Sequence, residues 1–262
     1  MLALEALTNR VGELAKTVGV FIRQEANHFD SSKIEHKGAN DLVSYVDKEA
    51  EKLIVKGLKK ILPEAGFLTE EGTELANLTD LYWVVDPLDG TTNFLHGLPV
   101  FSISIGLIQN DNVVLGVVFE VNKAECFTAY KGGGAFCNQK RISISPIKAL
   151  KESLIATGFP YSLLDKKDNY FEIMKSLQVS SHGLRRLGSA AVDLCYVACG
   201  RFEAYYEFNL NPWDVTAGIL IVQEAGGVVT DFKGEYTSLN GLEILAAGNI
   251  HQQVLSTIQK YW

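Results

Sequence analysis

The sequence predicts a mixed α/β fold, with an α+β first half and an α/β second half. Up to about residue 148, two amphipathic helical patterns precede a series of strands joined by short turns; from about residue 149, strands and helices alternate. Consecutive strands favour an antiparallel sheet, whereas alternation favours parallel strands connected through helices. No internal repeat and no low-complexity linker divides the chain. We therefore predict one domain over residues 1–262, with subdomains at roughly 1–148 and 149–262.

The composition is typical of a globular protein. The 262 residues are 47% hydrophobic and 21% charged, which allows a substantial core. A net charge of −7 and the lack of a basic run argue against nucleic acid as a partner. No apolar run reaches membrane-spanning length, and the first residues do not have the pattern of a signal peptide. The four cysteines form no Cys-x-x-Cys pair. We therefore expect reduced thiols and a cytoplasmic protein without a membrane partner.

Apolar spacing and capping residues predict the first two helices. Apolar residues recur at helical spacing from residue 4 to about residue 29, and the polar segment 30–40 is expected to be a loop. Ser44 followed by Asp47 is typical of a helix N-terminus. The second helix therefore begins near Ser44, and it ends before Pro63 because proline cannot continue it.

The stretch 82–94 is predicted to begin as a strand and end as a helix. Residues 82–85 are aromatic or β-branched, which predicts a buried strand that Asp86-Pro87 interrupts, because proline lacks the N–H of the strand ladder. Asp89-Gly90 turns the chain, and Asp89 is the expected N-cap of a helix that starts at Thr91. Two carboxylates thus lie beside a helix N-terminus, which favours an anion. A divalent cation such as Mg²⁺, bound between the carboxylates and a phosphate, would offset the repulsion between these negative groups.

The remaining elements follow from alternation and turn residues. Residues 101–107, 113–121 and 125–130 predict an antiparallel meander, and the glycine run 132–134 is interpreted as a structural turn because it lacks P-loop spacing. The elements predicted after that are a strand at 154–157, a helix at 169–177, a helix from Ser189 to Gly200, a strand at 202–208, a helix from Pro212 to Ala225, strands at 228–231 and 243–247, and a last helix from Asn249.

Residues 86–94, Asp-Pro-Leu-Asp-Gly-Thr-Thr-Asn-Phe, resemble the signature of the inositol monophosphatase family, within the fructose-bisphosphatase-like superfamily of metal-dependent, lithium-sensitive phosphatases. Residues 213–218, Trp-Asp-Val-Thr-Ala-Gly, resemble the second signature of that family, and Glu70-Glu71 lies at a family-like distance before the first. Haloacid-dehalogenase phosphatases have a similar Asp-Gly-Thr loop, but Pro87 occupies the position of their nucleophilic aspartate. The resemblance implies a layered αβαβα sandwich and a homodimer.

The same resemblance implies a site for two to three Mg²⁺ ions. One ion would be held by Glu70, Asp86 and the carbonyl of Leu88. A second would be held by Asp86, Asp89 and Asp214, and a third would bind loosely at Glu70. Four carboxylates and a phosphate dianion carry about −6, which three divalent cations neutralise.

The resemblance also assigns catalytic and phosphate-binding roles. A water oriented by Glu70 and Thr91, with Asp47 as a further candidate, would attack phosphorus in line. The N–H groups of Gly90 and Thr91 would hold phosphate oxygens. The sugar hydroxyls and the rest of the substrate would meet Asp89, Gly188, Ser189, Ala190, Glu207 and Asp214.

The implied function is Mg²⁺-dependent hydrolysis of a small phosphorylated polyol or sugar, with myo-inositol monophosphate as the first choice. The alternatives are a nucleotide 3′-phosphate, fructose 1,6-bisphosphate, histidinol phosphate, or a catalytically idle regulatory role. Glu207 has an alternative interpretation as an exposed charge at a strand end. Arg185 and Arg186 could reach a second phosphate, although a surface ion pair is the simpler expectation.

Overall fold

Helices and strands alternate in layers through the residues that the computed structural model describes, which are 2–28, 34–36, 42–74, 76, 78–159, 166–236 and 243–262. The helices are α1 (Leu4–Ala26), α2 (Tyr45–Ile61), α3 (Thr91–Leu95), α4 (Lys167–Ser180), α5 (Ala190–Ala198), α6 (Pro212–Glu224) and α7 (His251–Tyr261). The strands are β1 (Ile34–His36), β2 (Leu42–Ser44), β3 (Gly66–Thr69), β4 (Leu81–Asp89), β5 (Ser102–Gln109), β6 (Asn112–Glu120), β7 (Glu125–Tyr130), β8 (Gly134–Cys137), β9 (Lys140–Arg141), β10 (Leu154–Thr157), β11 (Gly183–Arg185), β12 (Ala204–Phe208), β13 (Val228–Thr230) and β14 (Glu243–Ala247).

Two sheets and three groups of helices form five layers. The first sheet has the strand order β3-β4-β5-β6-β7-β8-β9, and the second has the order β11-β10-β12-β14-β13. One hydrophobic core lies between the first sheet and α1 and α2; a second core surrounds α5 and α6 between the two sheets; a third joins the second sheet to α4 and α7. The predicted αβαβα sandwich is confirmed. None of the described helices is both long enough and apolar enough to cross a membrane.

The two sheets differ in strand direction, as the sequence pattern indicates. In the first sheet β4 to β9 form an antiparallel meander, and only β3 runs parallel to its neighbour β4. In the second sheet β11, β10 and β12 are parallel, whereas β14 runs antiparallel to both β12 and β13. The second half is therefore a mixed sheet rather than a fully parallel one.

Very short strands are where the sequence-based assignment is wrong. Residues 34–36, expected to be part of a loop, form β1 and pair antiparallel with β2, and β11 was not predicted at all. Three-residue strands are too short to show period-two alternation. The first helix ends at Ala26 rather than near residue 29, and the rest of the expected loop, 30–33 and 37–40, lies outside the described residues.

Two glycines bring α6 onto the first sheet. Gly106 of β5 and Gly116 of β6 are cross-strand partners. A Cβ on Gly106 would lie 2.5 Å from Thr216 Cγ2, and one on Gly116 would lie 2.6 Å from the carbonyl oxygen of Ala217. Side chains at either position would therefore push the helix away from the sheet. Because α6 begins only a few residues earlier, this contact also sets the position of its first turn.

We expect Gly116→Ala to destabilise the protein, because the new methyl group meets helix backbone that cannot rotate aside. Overpacking of this kind costs roughly 1–3 kcal/mol, measured as the free energy of unfolding in urea. The matched control is Gly12→Ala in α1, where the added Cβ would meet nothing closer than Cys126 Sγ at 3.5 Å. That control should be neutral or stabilising by about 0.5–1 kcal/mol, since alanine is the better helix former. Equal stability of the two variants would contradict this account of the α6 contact.

Candidate active site

A β-bulge turns two aspartates of β4 toward the same face of the first sheet. Asp86 pairs with Ser104 and Asp89 pairs with Ser102, although the aspartates are three residues apart and the serines two, and the register shifts between them. The extra residue lies at Pro87-Leu88, where proline cannot donate to the ladder. Since cross-strand partners share a face, both carboxylates point toward α5 and α6. The sequence predicted a strand end at Asp86; instead the strand continues through the bulge to Asp89.

Asp89 contacts the N-terminus of α5, not that of α3. Its Oδ2 accepts hydrogen bonds from the Ser189 hydroxyl at 2.6 Å and the Ala191 N–H at 2.8 Å. The N-cap of α3 is Gly90, in a left-handed conformation with φ 95°, and no side chain caps that helix. The prediction that Asp89 is the N-cap of the helix at Thr91 is therefore wrong. A carboxylate at the start of α5 joins the two halves of the chain directly.

Glu70 lies beside Asp86 because β3 runs parallel to β4. Thr69 pairs with Val85, and the next N–H, that of Glu70, donates to the Val85 carbonyl at 3.2 Å. The turn that follows is held by Glu51, a fully buried residue of α2. Its carboxylate accepts from the N–H of Glu71 at 2.7 Å and from the N–H and hydroxyl of Thr73 at 2.7 and 2.6 Å. Nothing in the local sequence singles out Glu51, because on the helix it is one acid among several.

Asp214 enters the site from the second half at the first turn of α6. Its Oδ2 accepts from the N–H of Asn211 at 2.6 Å, which ties it to the start of the helix. The Ser104 hydroxyl donates to the carbonyl of Trp213 at 3.1 Å and so fastens this turn to β5, beside Asp86. Asp214 is therefore both a helix-terminal acid, as its position predicts, and a neighbour of Asp86 in the site.

We call four acidic residues of the site the carboxylate cluster: Glu70, Asp86, Asp89 and Asp214. Burial and the charges within the cluster raise the pKa values of its aspartates. Burial raises the pKa of Asp86 well above its usual value, and the charges of Glu70, Asp89 and Asp214 raise it further, as does a hydrogen bond with the Glu70 carboxyl. Burial, followed by the charge of Asp89, raises the pKa of Asp214 to about 8. Burial also raises the pKa of Asp89 to about 6, against the hydrogen bonds from the start of α5. Like charges this close favour protonation unless a cation is present.

Asp47 and Thr91 form a hydrogen-bonded pair next to the cluster. Asp47 is fully buried, and its Oδ2 accepts from the N–H and hydroxyl of Ser44 at 2.8 and 2.6 Å, which confirms the predicted helix start. Its Oδ1 accepts from the Thr91 hydroxyl at 2.9 Å, and that hydroxyl is also 3.0 Å from the Leu88 carbonyl. Burial raises the pKa of Asp47 despite these hydrogen bonds.

Glu207 lies near the C-terminal end of β12, only partly exposed rather than on an open surface. Its Oε2 accepts from the Tyr205 hydroxyl at 2.5 Å. Burial raises the pKa of Glu207 to about 7, and the Tyr205 hydrogen bond and the charge of Arg186 act in the opposite direction. A Cβ on Gly158 would lie 1.9 Å from the carboxyl carbon, so only glycine leaves room for this side chain. The alternative of an exposed strand-end charge is therefore wrong.

Asn93 fixes the loop 187–189 against the start of α3. Its side-chain nitrogen is 2.7 Å from the Val100 carbonyl, 2.8 Å from the Leu187 carbonyl and 3.4 Å from the Gly188 carbonyl. Gly188 has φ 88°, and a Cβ there would be 3.0 Å from the same nitrogen. The signature stretch contains Asn93, but no local pattern shows that it bridges 94 residues to the loop.

Asp193 of α5 is a further acid of this region that was not predicted as a site residue. It is buried, and within the described residues its Oδ1 has no hydrogen-bond partner. Burial raises its pKa well above the usual value, and the charges of Glu207 and Asp89 add to the effect. The sequence feature that could have identified it is its position as an acid in the otherwise apolar helix Ala-Ala-Val-Asp-Leu-Cys-Tyr-Val-Ala. Asp193 thus adds a further acid between the carboxylate cluster and Glu207.

The chemistry of the donors fits hard divalent cations. Carboxylate oxygens and the Leu88 carbonyl are the ligands that Mg²⁺ and similar ions prefer. The side chains of the described residues are not arranged as a ready-made group of three His, Cys, Asp or Glu ligands. Asp86, Asp89 and Asp214 each have a carboxylate oxygen on a local donor; for Asp86, Oδ1 accepts from the Leu88 N–H at 2.9 Å. A bound cation would offset the burial and the repulsion between like charges that raise these pKa values.

The chain was also compared with known proteins. A model of the family described as the inositol monophosphatase family matches residues 3–262. The Nus factor SuhB of Pseudomonas aeruginosa is 39% identical over 264 residues, covering 98% of this chain and 97% of that protein. The inositol-1-monophosphatase of Rhizobium meliloti is 39% identical over 251 residues, covering 95% and 94%.

A solved structure supports the same likeness in three dimensions. The crystal structure of the extragenic suppressor protein suhB from Bartonella henselae superimposes with a TM-score of 0.92 at 38% identity. The match covers 97% of this chain and 99% of that one. Similarity therefore extends over nearly the whole chain and includes both halves of the carboxylate cluster.

We expect the metal-free protein to lose stability as the pH rises from about 5 to 8. A carboxyl whose folded-state pKa lies above its unfolded value binds more protons in the folded state, so its contribution falls as pH rises toward the folded pKa. For Asp89 and Asp214 that range ends at about 6 and about 8. A divalent cation should raise the Tm most at the upper end of the range. The measurement is the Tm at pH 5.5 and 8, with EDTA or with cation.

Asp214→Asn is the control for that pH dependence, because it removes the group with the pKa of about 8. Its Tm should change less between the two pH values than that of the unaltered protein. A cation effect that is the same at both pH values would contradict the electrostatic account of the cluster.

Proposed function

The chain belongs to the inositol monophosphatase family, and from that premise we propose that this phosphatase hydrolyses myo-inositol monophosphate to inositol and phosphate in a Mg²⁺-dependent reaction. The observation that carries the proposal is the convergence of Glu70, Asp86, Asp89 and Asp214: besides burial, the charges of the other three raise the pKa of Asp86, and the charge of Asp89 raises that of Asp214. An idle homologue would have no need of so costly a cluster. The name of the Rhizobium meliloti relative supports inositol monophosphate as the substrate.

In this proposal the cluster binds two to three Mg²⁺ ions. Glu70, Asp86 and the Leu88 carbonyl would hold one, and Asp86, Asp89 and Asp214 a second. Bound Mg²⁺ would supply charge for the phosphate and lower the pKa of a water molecule. Asp86 is buried, whereas the residues Glu70, Asp89 and Asp214 are each partly exposed.

Thr91 and Glu70 would orient the attacking water. The Thr91 hydroxyl has two acceptors for its proton, Asp47 Oδ1 and the Leu88 carbonyl, so its oxygen lone pairs can accept from the water. Asp47 is a positioning residue in this scheme, because Ser44 occupies its other oxygen. With Glu70 as the second acceptor, both protons of the water are held and its remaining lone pair faces phosphorus.

The same turn would bind the phosphate, and the second half would bind the alcohol. The N–H groups of Gly90 and Thr91, at the start of α3, have no partner within that short helix and suit phosphate oxygens. On the leaving-group side, Asp89 is hydrogen-bonded to the segment Gly188-Ser189-Ala190 that would meet the sugar. Glu207 would accept hydrogen bonds from vicinal hydroxyls, because an ionised carboxylate has two acceptor oxygens.

Several finer expectations remain predictions. The alternative substrates are a nucleotide 3′-phosphate, fructose 1,6-bisphosphate and histidinol phosphate, which use the same phosphate site but a different alcohol. Inhibition by lithium and a homodimer follow from the resemblance, and a cytoplasmic location is expected from the cysteine pattern of the sequence. The cysteines of the described part of the chain are free thiols.

A phosphate-release screen with Mg²⁺ tests the proposal directly. Inositol, sugar, nucleotide and histidinol phosphates should be compared by kcat/KM, with EDTA as the control. We expect release from several small phosphate monoesters, with inositol monophosphate the best, and none with EDTA. Metal-independent release, or none from any ester, would contradict the proposal.

Asp214→Asn tests whether the two halves build one metal site. The change removes a charge with little change in shape, so we expect a large fall in kcat and a higher Mg²⁺ concentration for half-activity in a folded protein. Asp168→Asn is the matched control, because Asp168 is an exposed acid in the first turn of α4. If Asp214 were only a helix-terminal acid, its variant would lose about 0.5–2 kcal/mol of stability with unchanged metal dependence.

Glu207→Gln tests the polyol contact. Losing a charged acceptor should cost roughly 1.5–3 kcal/mol in kcat/KM for inositol monophosphate. An aryl phosphate without vicinal hydroxyls should be hydrolysed nearly as well as by the unaltered enzyme. Equal losses on both substrates would remove Glu207 from the alcohol site.

A further inference from the structure

Three parallel strands end together beside the alcohol part of the proposed site. β11, β10 and β12 are neighbours in the second sheet, with Ala156 level with Arg185 and with Tyr205. Arg186 and Gly158 are the first residues after β11 and β10, and Glu207 is the last but one residue of β12. In sheets of this kind, ligands bind at the carboxyl ends of the strands. The loop after β11 continues to Ser189 and its bond to Asp89, so this edge faces the carboxylate cluster.

The Arg186 side chain lies along this edge. One guanidinium nitrogen, Nη1, is 2.3 Å from where a Cβ of Gly188 would be, so only glycine leaves it room. The guanidinium carbon is 5.8 Å from the ring centroid of Phe159, a cation–π contact with a ring that is 45% exposed. The charge of Arg186 also reaches Glu207, whose pKa it lowers. The guanidinium is thus held between Gly188 and Phe159, at the rim of the alcohol site.

Within the described part of the chain, no carboxylate forms an ion pair with the Arg186 guanidinium, although its charge acts on Glu207 and Asp193 from a greater distance. The expected surface ion pair is not present there: no carboxylate lies within 4.0 Å of Arg186 or of Arg185. A paired arginine of this protein looks different, since Arg201 binds both oxygens of Glu125 at 2.6 and 2.5 Å. Arg186 therefore presents unused N–H donors at the rim.

We propose that Arg186 is a specificity residue that binds a second anionic group, a carboxylate or a phosphate, on the alcohol part of the substrate. The inference rests on the proposed phosphatase function and extends its substrate class from inositol monophosphate to phosphate monoesters of acidic polyols or sugars. The planar guanidinium fork matches the paired oxygens of either anion. With the carboxylate cluster at one end and Arg186 at the other, such a substrate binds in one orientation, with Glu207 on its hydroxyls.

Two matched substrate pairs test this role. Glucitol 6-phosphate and 6-phosphogluconate share a carbon chain and differ by a carboxylate; fructose 1-phosphate and fructose 1,6-bisphosphate differ by a second phosphate. Arg186→Gln should lower kcat/KM for the acidic member of at least one pair by roughly 10- to 100-fold, mainly through KM, since a hydrogen bond to a charged group is lost. The neutral members should change by less than about threefold, a small effect on this scale. The pair that responds identifies the anion as carboxylate or phosphate.

Arg185→Gln is the matched control. Arg185 is also exposed, but its Nη1 donates to the Leu184 carbonyl at 2.9 Å and turns back toward Gly183, away from the rim. Arg185→Gln should leave kcat/KM unchanged for all four substrates. Arg186→Lys should keep part of the preference for the acidic substrate because it keeps the charge. Thermal melts should be the same for all variants, since both arginines are exposed.

The outcomes separate this inference from the function on which it rests. Equal losses on acidic and neutral substrates, or no loss on either acidic substrate, would overturn the role of Arg186 while leaving the phosphatase in place. The former result would mean that Arg186 acts only through the charge of Glu207. Failure of the unaltered protein to release phosphate from any of the substrates with Mg²⁺ would overturn the proposed function itself.

Discussion

Repulsion among four buried or half-buried carboxylates is the constraint around which this structure is built. Burial raises the pKa of Asp86 most, and the charges of Glu70, Asp89 and Asp214 all raise it further. The fold keeps the groups together by giving them local donors: the Leu88 N–H for Asp86, the start of α5 for Asp89, and the Asn211 N–H for Asp214. These contacts hold the side chains without neutralising them. The charge remains available to a cation, which is what a metal-dependent phosphatase requires.

The same constraint explains why the chain needs both of its halves. Glu70, Asp86 and Asp89 lie on the first sheet, whereas Asp214 lies at the start of α6. That helix reaches the cluster because Gly106 and Gly116 let its backbone touch the sheet. The bond from Asp89 to the start of α5 and the Asn93 contact with the loop 187–189 bring the second half in from another side. Activity is therefore expected to depend on packing between the halves as much as on the ligands.

In the proposed function, specificity is separate from the carboxylate cluster, both in the chain and in space. The cluster would bind the phosphate through its cations. The alcohol would be met by the carboxyl ends of β11, β10 and β12, where Arg186, Phe159 and Glu207 lie. A sheet edge of this kind can change its side chains without disturbing the bulge in β4 or the contact of α6. Glu207 gives this edge a hydroxyl acceptor and Arg186 gives it a cation, so the edge would suit a neutral polyol and also an alcohol that is both hydroxylated and acidic.

The sequence by itself determined the features that depend on near neighbours. Local spacing predicts the capping pair Ser44 and Asp47, the strand before Asp86 and the helix that begins at Pro212. The two signature stretches contain Asp86, Asp89 and Asp214 of the carboxylate cluster, and the Glu-Glu pair contains Glu70. Only the tertiary structure decided the rest. Asp89 bonds to α5 instead of capping its own helix, and Arg186 lies free of an ion pair within the described residues. The bond from Ser189 to Asp89 joins residues 100 positions apart, and the surroundings of Arg186 likewise depend on how distant segments pack. Local propensity carries no information about such contacts.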